Sequence, residues 1–344
     1  METVPFGTTH DGQTVRLFTL KNRQGLQVKL CEYGALVTSI LTPDREGTIA
    51  EITLGKPDFE SWLDNPEYLG ATVGRFGNRI SGGRFTLDGT EYTLPLNDEP
   101  GGQPCHLHGG PNGFNTRLWS GEPVIRPDAE GVCFTLHSDS GDEGYPGALV
   151  AKVTYWLTQA NQLIFEATAT TDEPTPVNLI NHIYWNLSGD ASRTILDHDL
   201  RIFANSYLPT TPGMIPTGET APVNGTPLDF SSTHQVGDRI DDDFPALKIG
   251  NGYDHCFILE EAQEALSRAA ILSHSESGRA LEILTNQPGI QFYSGNFLPK
   301  KHTGLCLETQ AFPDSPNQPD FPDTILRPGQ TYRHLTHFRF TTIS

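Results

Sequence analysis

Along most of this chain, apolar side chains recur at every second position in short runs. Val132, Phe134 and Leu136 form one run. Ala151, Val153, Tyr155 and Leu157 form another, followed after a turn at Asn161 by Leu163, Phe165 and Ala167. Gly25 to Leu30 alternates, and Phe338 and Phe340 close the chain in the same way. A two-residue period belongs to a strand with one buried face. Phe85, Leu87, Tyr92 and Leu94 flank Asp88-Gly89, a hairpin signal. The 34 glycines and 26 prolines are scattered rather than clustered, as turns between many strands require. The pattern predicts an all-β chain, a large antiparallel β-sandwich with very little helix, rather than βαβ units.

Helix signals are few. Asp58 to Leu63 reads as one or two turns. Between Glu260 and Ala270 two readings conflict. Ala262, Ala265, Leu266, Ala269 and Ala270 repeat at helical spacing, whereas Ile271-Leu272 and Leu281-Glu282-Ile283 read as a strand pair around Ser277-Gly278.

A chain of 344 residues accommodates one large all-β unit or two smaller domains. No fixed-period repeat, charge block or flexible linker marks a boundary, so residues 1–344 are expected to form a single domain. The formal net charge is −19, from 23 basic and 42 acidic residues. Such a surface repels phosphate backbones and anionic lipid, which argues against nucleic-acid and membrane partners but not against a neutral small molecule. Five cysteines, with no CxxC pair, read as reduced thiols in a reducing compartment. No basic and apolar leader opens the sequence, and no apolar run approaches the length of a membrane span. A cytoplasmic protein, monomeric or weakly dimeric, is expected.

Against this background Glu308 stands out, in Leu305-Cys306-Leu307-Glu308-Thr309-Gln310. Alternation puts Leu305 and Leu307 on one face of a strand and Cys306 and Glu308 on the other. A carboxylate on an apolar strand needs partners or a task, because burying it unpaired is costly. A structural salt bridge would satisfy it, and so would chemistry.

Five other polar clusters bear on that choice. Gly74-Arg75-Phe76-Gly77-Asn78-Arg79-Ile80 offers two forked donors for hydroxyls or a carboxylate, or else a turn with surface arginines. It lacks the phosphate-loop pattern. Cys105-His106-Leu107-His108-Gly109-Gly110 carries an HxH pair that, on a strand, puts both imidazoles on one face. The carboxylate a metal site would add is missing, since Asn112 and Gly113 follow. Asn178 to Leu187 mixes three Asn, His182 and the rings of Tyr184 and Trp185. Amides beside aromatic rings suit a sugar, which has apolar C–H faces and a rim of hydroxyls. Asp254 follows a turn in Asn251-Gly252-Tyr253-Asp254-His255-Cys256, and Thr285 to Asn296 holds Gln287, Gln291 and Tyr293.

In this order, and followed by Leu307-Glu308-Thr309-Gln310, these clusters resemble the aldose 1-epimerase family. The carrying segments are Asn78-Arg79-Ile80, Leu107-His108-Gly109-Gly110, Asn181-His182, Tyr253-Asp254-His255, Gln287-Pro288-Gly289 with Gln291 to Asn296, and the Glu308 strand. The match runs from about Gly34 to the C-terminus. No one segment is specific; their joint order is. The resemblance implies a β-sandwich with a sugar cleft on one face, strands and a turn in the 260–270 region, no cofactor and no metal. It implies Glu308 as general base, His182 as general acid and His108 as a second imidazole near the ring oxygen. It implies that Asn78, Arg79, Asp254 and Gln287 hold the sugar hydroxyls. His106, Arg75 and Trp185 are left without an assigned role.

That set suits anomer exchange in a free monosaccharide. The anomeric hydroxyl loses a proton, the ring oxygen gains one, C1–O5 breaks, and rotation about C1–C2 precedes reclosure. One base and one acid suffice, with no redox step, metal or nucleotide. Three other readings remain open at this level. A glycoside hydrolase would use Asp254 and Glu308 as its carboxylate pair. A non-catalytic sugar-binding module would need neither Glu308 nor His182. A hexose-phosphate epimerase would need a basic pocket.

Overall fold

A computed structural model of the chain describes residues 1–259 and 266–343. Strands dominate it, and every pairing between named strands is antiparallel. The run at residues 25–30 falls in a five-stranded sheet, and those at Val132, Ala151, Leu163 and Phe338 fall in a nine-stranded one. At its centre lie Ala129–Ser138, Leu149–Thr158, Gln162–Thr171 and Tyr332–Thr342, side by side. One face of that sheet is covered twice. Toward the N-terminus a five-stranded meander, residues 2–51, packs Phe18 edge-on against Phe134 with ring centroids 5.9 Å apart. Elsewhere a six-stranded sheet packs Trp185 against Phe338 at 5.4 Å. One continuous apolar cluster runs between these layers, the arrangement expected of a sandwich.

The turn chemistry behaves as its residues dictate. Asp88 and Gly89 both take positive φ, 50° and 83°, and join Arg84–Leu87 to Thr90–Thr93 with Phe85 opposite Tyr92, as a two-residue hairpin turn requires. Phe59–Leu63 is a short helix whose N-cap, Asp58, accepts the Ser61 N–H at 2.9 Å. A second short helix, Pro245–Gly250, has no strong periodic signal and starts at its proline.

The Glu260–Ala270 conflict resolves in part. Residues 260–265 lie outside the described residues. From Ser267 the chain is a strand, Ser267–Ser273, paired with Arg279–Thr285 so that Leu272 faces Leu281. The ladder to its neighbours overrides the helical spacing of Ala269 and Ala270, both of which are buried. Among the described residues, no helix is long and apolar enough to cross a membrane. All five cysteines are free thiols.

Candidate active site

Three strands of the six-stranded sheet build the floor of a cavity of about 590 Å³. They are Asp254–Ile258, Gly289–Tyr293 and Leu305–Gln310. Their register sets Glu308 opposite Gln291, Cys306 opposite Tyr293, and Tyr293 opposite Asp254. Side chains directly opposite in a ladder point to the same face. Asp254, Gln291, Tyr293 and Glu308 therefore all line the cavity. The alternate residues, Phe257, Ile290, Phe292, Leu305 and Leu307, enter the core. Thr309 also faces inward, bonding the Thr336 hydroxyl at 2.7 Å and His334 Nε2 at 2.9 Å. The floor is thus fixed to the long strand behind it.

His182 reaches the same cavity from the Ile180–His182 strand, which pairs with Ala71–Val73. Its Nε2 lies 3.7 Å from Glu308 Oε2. Its Nδ1 lies 3.5 Å from Cys306 Sγ, on the same face of the Glu308 strand. Tyr184 packs on the imidazole at 5.1 Å and Tyr68 at 5.9 Å. His108 stands across from it, ring centroids 5.2 Å apart and nearly perpendicular. The following residue, Gly109, has φ +87°, and a Cβ there would collide with the Gly74 carbonyl. Only glycine lets the His108 loop lie this close to the Gly74-Arg75 backbone.

The hydrogen-bond network assigns the His108 proton. Asn78 donates its backbone N–H to His108 Nδ1 at 3.0 Å. A neutral imidazole has one acceptor nitrogen, so its proton sits on Nε2. Burial, with His182 beside it, pushes His108 well below the ordinary imidazole pKa and keeps it neutral. Ligand-type atoms of His108, His182 and Glu308 lie within 4.8 Å of one another. With Nδ1 engaged by an N–H donor, however, the His108 ring has no lone pair for a cation unless the Asn78 bond is given up.

Burial also governs the acids. It raises Glu308 well above the ordinary carboxylate range, and the Asp254 charge adds to this against the pull of Arg79. It raises Asp254 as well, against Arg79 and the Gln291 amide, which donates to Asp254 Oδ1 at 2.6 Å. Burial lowers His182 to about 4. For Arg79 burial alone would lower the pKa, but Asp254 and Asp98 outweigh it and raise the value. Glu308 Oε2 and Gln291 Oε1 are buried without hydrogen-bond partners among the described residues. Two open acceptors on one cavity floor are what incoming hydroxyl donors would satisfy.

Of the residues implied by the sequence, Glu308, His182, His108, Asn78, Arg79 and Asp254 all line this cavity. Gln287 does not. It lies before the Gly289–Tyr293 strand, and its amide donates to Asn286 Oδ1 at 2.9 Å and to the Arg333 carbonyl. Gln291, four residues on, does line the cavity. Arg75 is buried away from the cavity, donating to the carbonyls of Pro146 and Gly147 at 2.8 Å and to Ser138 Oγ at 2.7 Å. His106 bonds the Pro95 carbonyl at 2.7 Å and packs on Tyr145. The HxH pair does not act as one strand face, because the strand ends at Leu107 and His108 turns to φ 52°. Trp185 points into the core against Phe338 and Phe340, whereas its neighbour Tyr184 lines the cavity.

Residues 16–339 match the family model described as aldose 1-epimerase. The chain belongs to the aldose 1-epimerase family. It is 43% identical to the galactose mutarotase of Mus musculus over 96% of this chain and 95% of that protein. It is 40% identical to the aldose 1-epimerase of Escherichia coli (strain K12), covering 96% of each. Its fold matches the crystal structure of galactose 1-epimerase from Lactobacillus acidophilus NCFM with a TM-score of 0.88, at 28% identity, over 100% of this chain and 99% of that one.

Sequence reasoning missed several residues of this aldose 1-epimerase cavity. Tyr68, Asp98, Met214 and Phe297 come from loops and carry no periodic signal. Gln287 and Gln291 lie an even number of residues apart, so alternation does not separate them; the register that sets Gln291 opposite Glu308 does.

Proposed function

We propose that this chain interconverts the α and β anomers of free aldohexoses such as galactose and glucose, with Glu308 as base and His182 as acid. The observation that carries this reading is the approach of Glu308 Oε2 to His182 Nε2, 3.7 Å, inside a cavity of about 590 Å³. His108 offers an Nε2–H donor for the ring oxygen region. Asn78, Arg79, Asp254 and Gln291 supply hydrogen bonds to hydroxyls remote from C1, which hold the ring yet leave C1–C2 free to rotate.

In the reaction the anomeric hydroxyl gives its proton to Glu308, C1–O5 breaks, and O5 takes a proton from His182. An open-chain aldehyde results, and the steps reverse after rotation. Before ring opening the pair is carboxylate plus imidazolium. Afterwards it is carboxylic acid plus neutral imidazole. Burial favours the second state, since it raises Glu308 and lowers His182. Burial of the pair therefore draws both protons in the direction that opens the ring. Mutual attraction of the two charges keeps the first state accessible.

The competing chemistries fit less well. A phosphate-sugar enzyme needs free cations, but among the described residues Arg79 is the one Lys or Arg lining the cavity, paired with Asp98 and under the charge of Asp254. A hydrolase that sets Asp254 against Glu308 leaves His182 and His108 without a task. Five free thiols suit a reducing compartment such as the cytoplasm.

The direct test is polarimetry on freshly dissolved α-galactose and α-glucose. The approach to anomeric equilibrium should accelerate in proportion to protein concentration, with the end point unchanged. Binding of either sugar without acceleration would leave only a sugar-binding module. A second test separates the two glutamines. Gln291→Ala removes one hydroxyl partner and should raise KM for galactose by about tenfold, the equivalent of one buried hydrogen bond. Gln287→Ala should leave KM within about twofold, because its partners are Asn286 and Arg333. The reverse pattern would return the role to Gln287.

A further inference from the structure

Asp98 enters the cavity wall from outside the three-strand floor. It sits in no named strand but is held by an isolated antiparallel bridge, in which Cys105 N–H donates to the Asp98 carbonyl at 2.8 Å and Asp98 N–H donates back at 3.3 Å. Its carboxylate is spoken for on both oxygens. Oδ1 accepts the Glu99 N–H at 3.1 Å. Oδ2 lies 3.0 Å from both Nε and Nη2 of Arg79, and 3.8 Å from Cys105 Sγ. The side chain of Arg79 is 12% exposed and that of Asp98 27%. The pair is thus neither a solvated surface contact nor fully enclosed. Among the described residues lining the cavity, Arg79 is the one Lys or Arg, and it shares the lining with Glu67, Asp98, Glu99, Asp254 and Glu308.

A guanidinium can grip a carboxylate or phosphate in two-point fashion either by its two Nη groups or by the side edge made of Nε and one Nη. Here that edge is already filled by the protein. We propose that Asp98 is a specificity-determining residue: by occupying the Nε/Nη2 edge of Arg79 it leaves the arginine able to donate to a neutral hydroxyl and bars aldoses that carry a carboxylate or phosphate. The inference rests on the anomer-exchange reading of the site and adds the charge class of its substrate. Two effects work together. The Nε/Nη2 edge is closed to a second anion and Nη2, which the end of the fork shares, is already engaged, while the Asp98 charge repels an anion approaching within a few ångströms.

D-galacturonate tests this, because it keeps the pyranose ring and its anomeric centre and places a carboxylate at C6. Wild-type protein should exchange galactose anomers at least about 100-fold more efficiently than those of galacturonate, in kcat/KM after subtraction of the spontaneous rate, as expected for two unfavourable charge contacts of about tenfold each. Asp98→Asn retains the shape of the side chain but loses the charge. It should narrow the ratio by roughly tenfold, one such contact. A purely structural role would lower both substrates together and leave the ratio fixed, and that result would overturn the proposal. Should the variant not fold, the wild-type chain still decides between charge and size. The neutral methyl ester of galacturonate is bulkier than the acid, yet it should be accepted better than the acid. An ester rejected as strongly as the acid would sink the idea. Loss of galactose activity itself in the wild-type protein would instead strike the anomer-exchange reading, and calorimetric binding of galactose against galacturonate would then still report the charge selectivity.

Discussion

Glu308→Gln is expected to remove nearly all catalysed anomer exchange, with kcat falling roughly 10²- to 10⁴-fold, the range of a general-base contribution. Glutamine has the shape of glutamate but cannot take the anomeric proton. Sugar binding should change little, because Asn78, Arg79, Asp254 and Gln291 are untouched. The variant should also fold well. Glu308 is buried, its Oε2 has no hydrogen-bond partner among the described residues, and burial already disfavours its charge. A neutral amide relieves that desolvation, so thermal stability at pH 7 should equal or exceed that of the parent chain. Polarimetry gives the rate, calorimetry with galactose the affinity and a melting curve the stability. A kcat within tenfold of the parent, in a chain that still binds galactose, would remove Glu308 from the base position.

His182→Asn should lower kcat by a similar factor, roughly 10²- to 10⁴-fold, with kcat/KM falling in step, because the lost group acts in the transition state rather than in binding. Some stability should go with it, since Tyr68 and Tyr184 lose an aromatic neighbour. The pH profile distinguishes this role from a packing role. One proton shared by Glu308 and His182 is the active form, and the two groups titrate as a pair. On the acid side the pair takes a second proton, near the His182 value of about 4. On the alkaline side it loses its only proton, above the ordinary carboxylate range, because burial raises Glu308. Wild-type kcat/KM should therefore pass through a plateau between these two limbs and fall at both ends. Residual activity of His182→Asn should lose the acid limb near pH 4. An unchanged limb in the variant would assign it to another group.

Much of the architecture could be read from two-residue alternation, because a strand with one wet and one dry face writes its period directly into the sequence. The Asp88-Gly89 hairpin and the outward turn of Glu308 relative to Leu305 and Leu307 belong to this class. What alternation does not encode is which strands lie side by side. Gln287 and Gln291 are equally polar, and only the pairing of Gly289–Tyr293 with Leu305–Gln310 distinguishes them. Single backbone angles were equally hidden. The positive φ of His108 separates it from His106, although the spacing alone suggests a shared face. Arg75 and Arg79 differ in the same way: one is consumed by carbonyls and the other faces the cavity. Asp98 depends on a bridge to Cys105 that no periodic pattern announces.

Glu308 stands on a hydrogen-bonded ladder of strands, whereas Glu67, Asp98, Met214 and Phe297 around it belong to loops. Phe297, 62% exposed, is the most open of the large apolar residues at this site. On the assignment proposed above, reactivity and selectivity are carried by parts of the chain that tolerate change very differently. Loop exchange between relatives offers a route to new sugar preferences with the proton-transfer machinery left in place, whereas even a one-residue slip in the floor would turn the machinery away from the ligand.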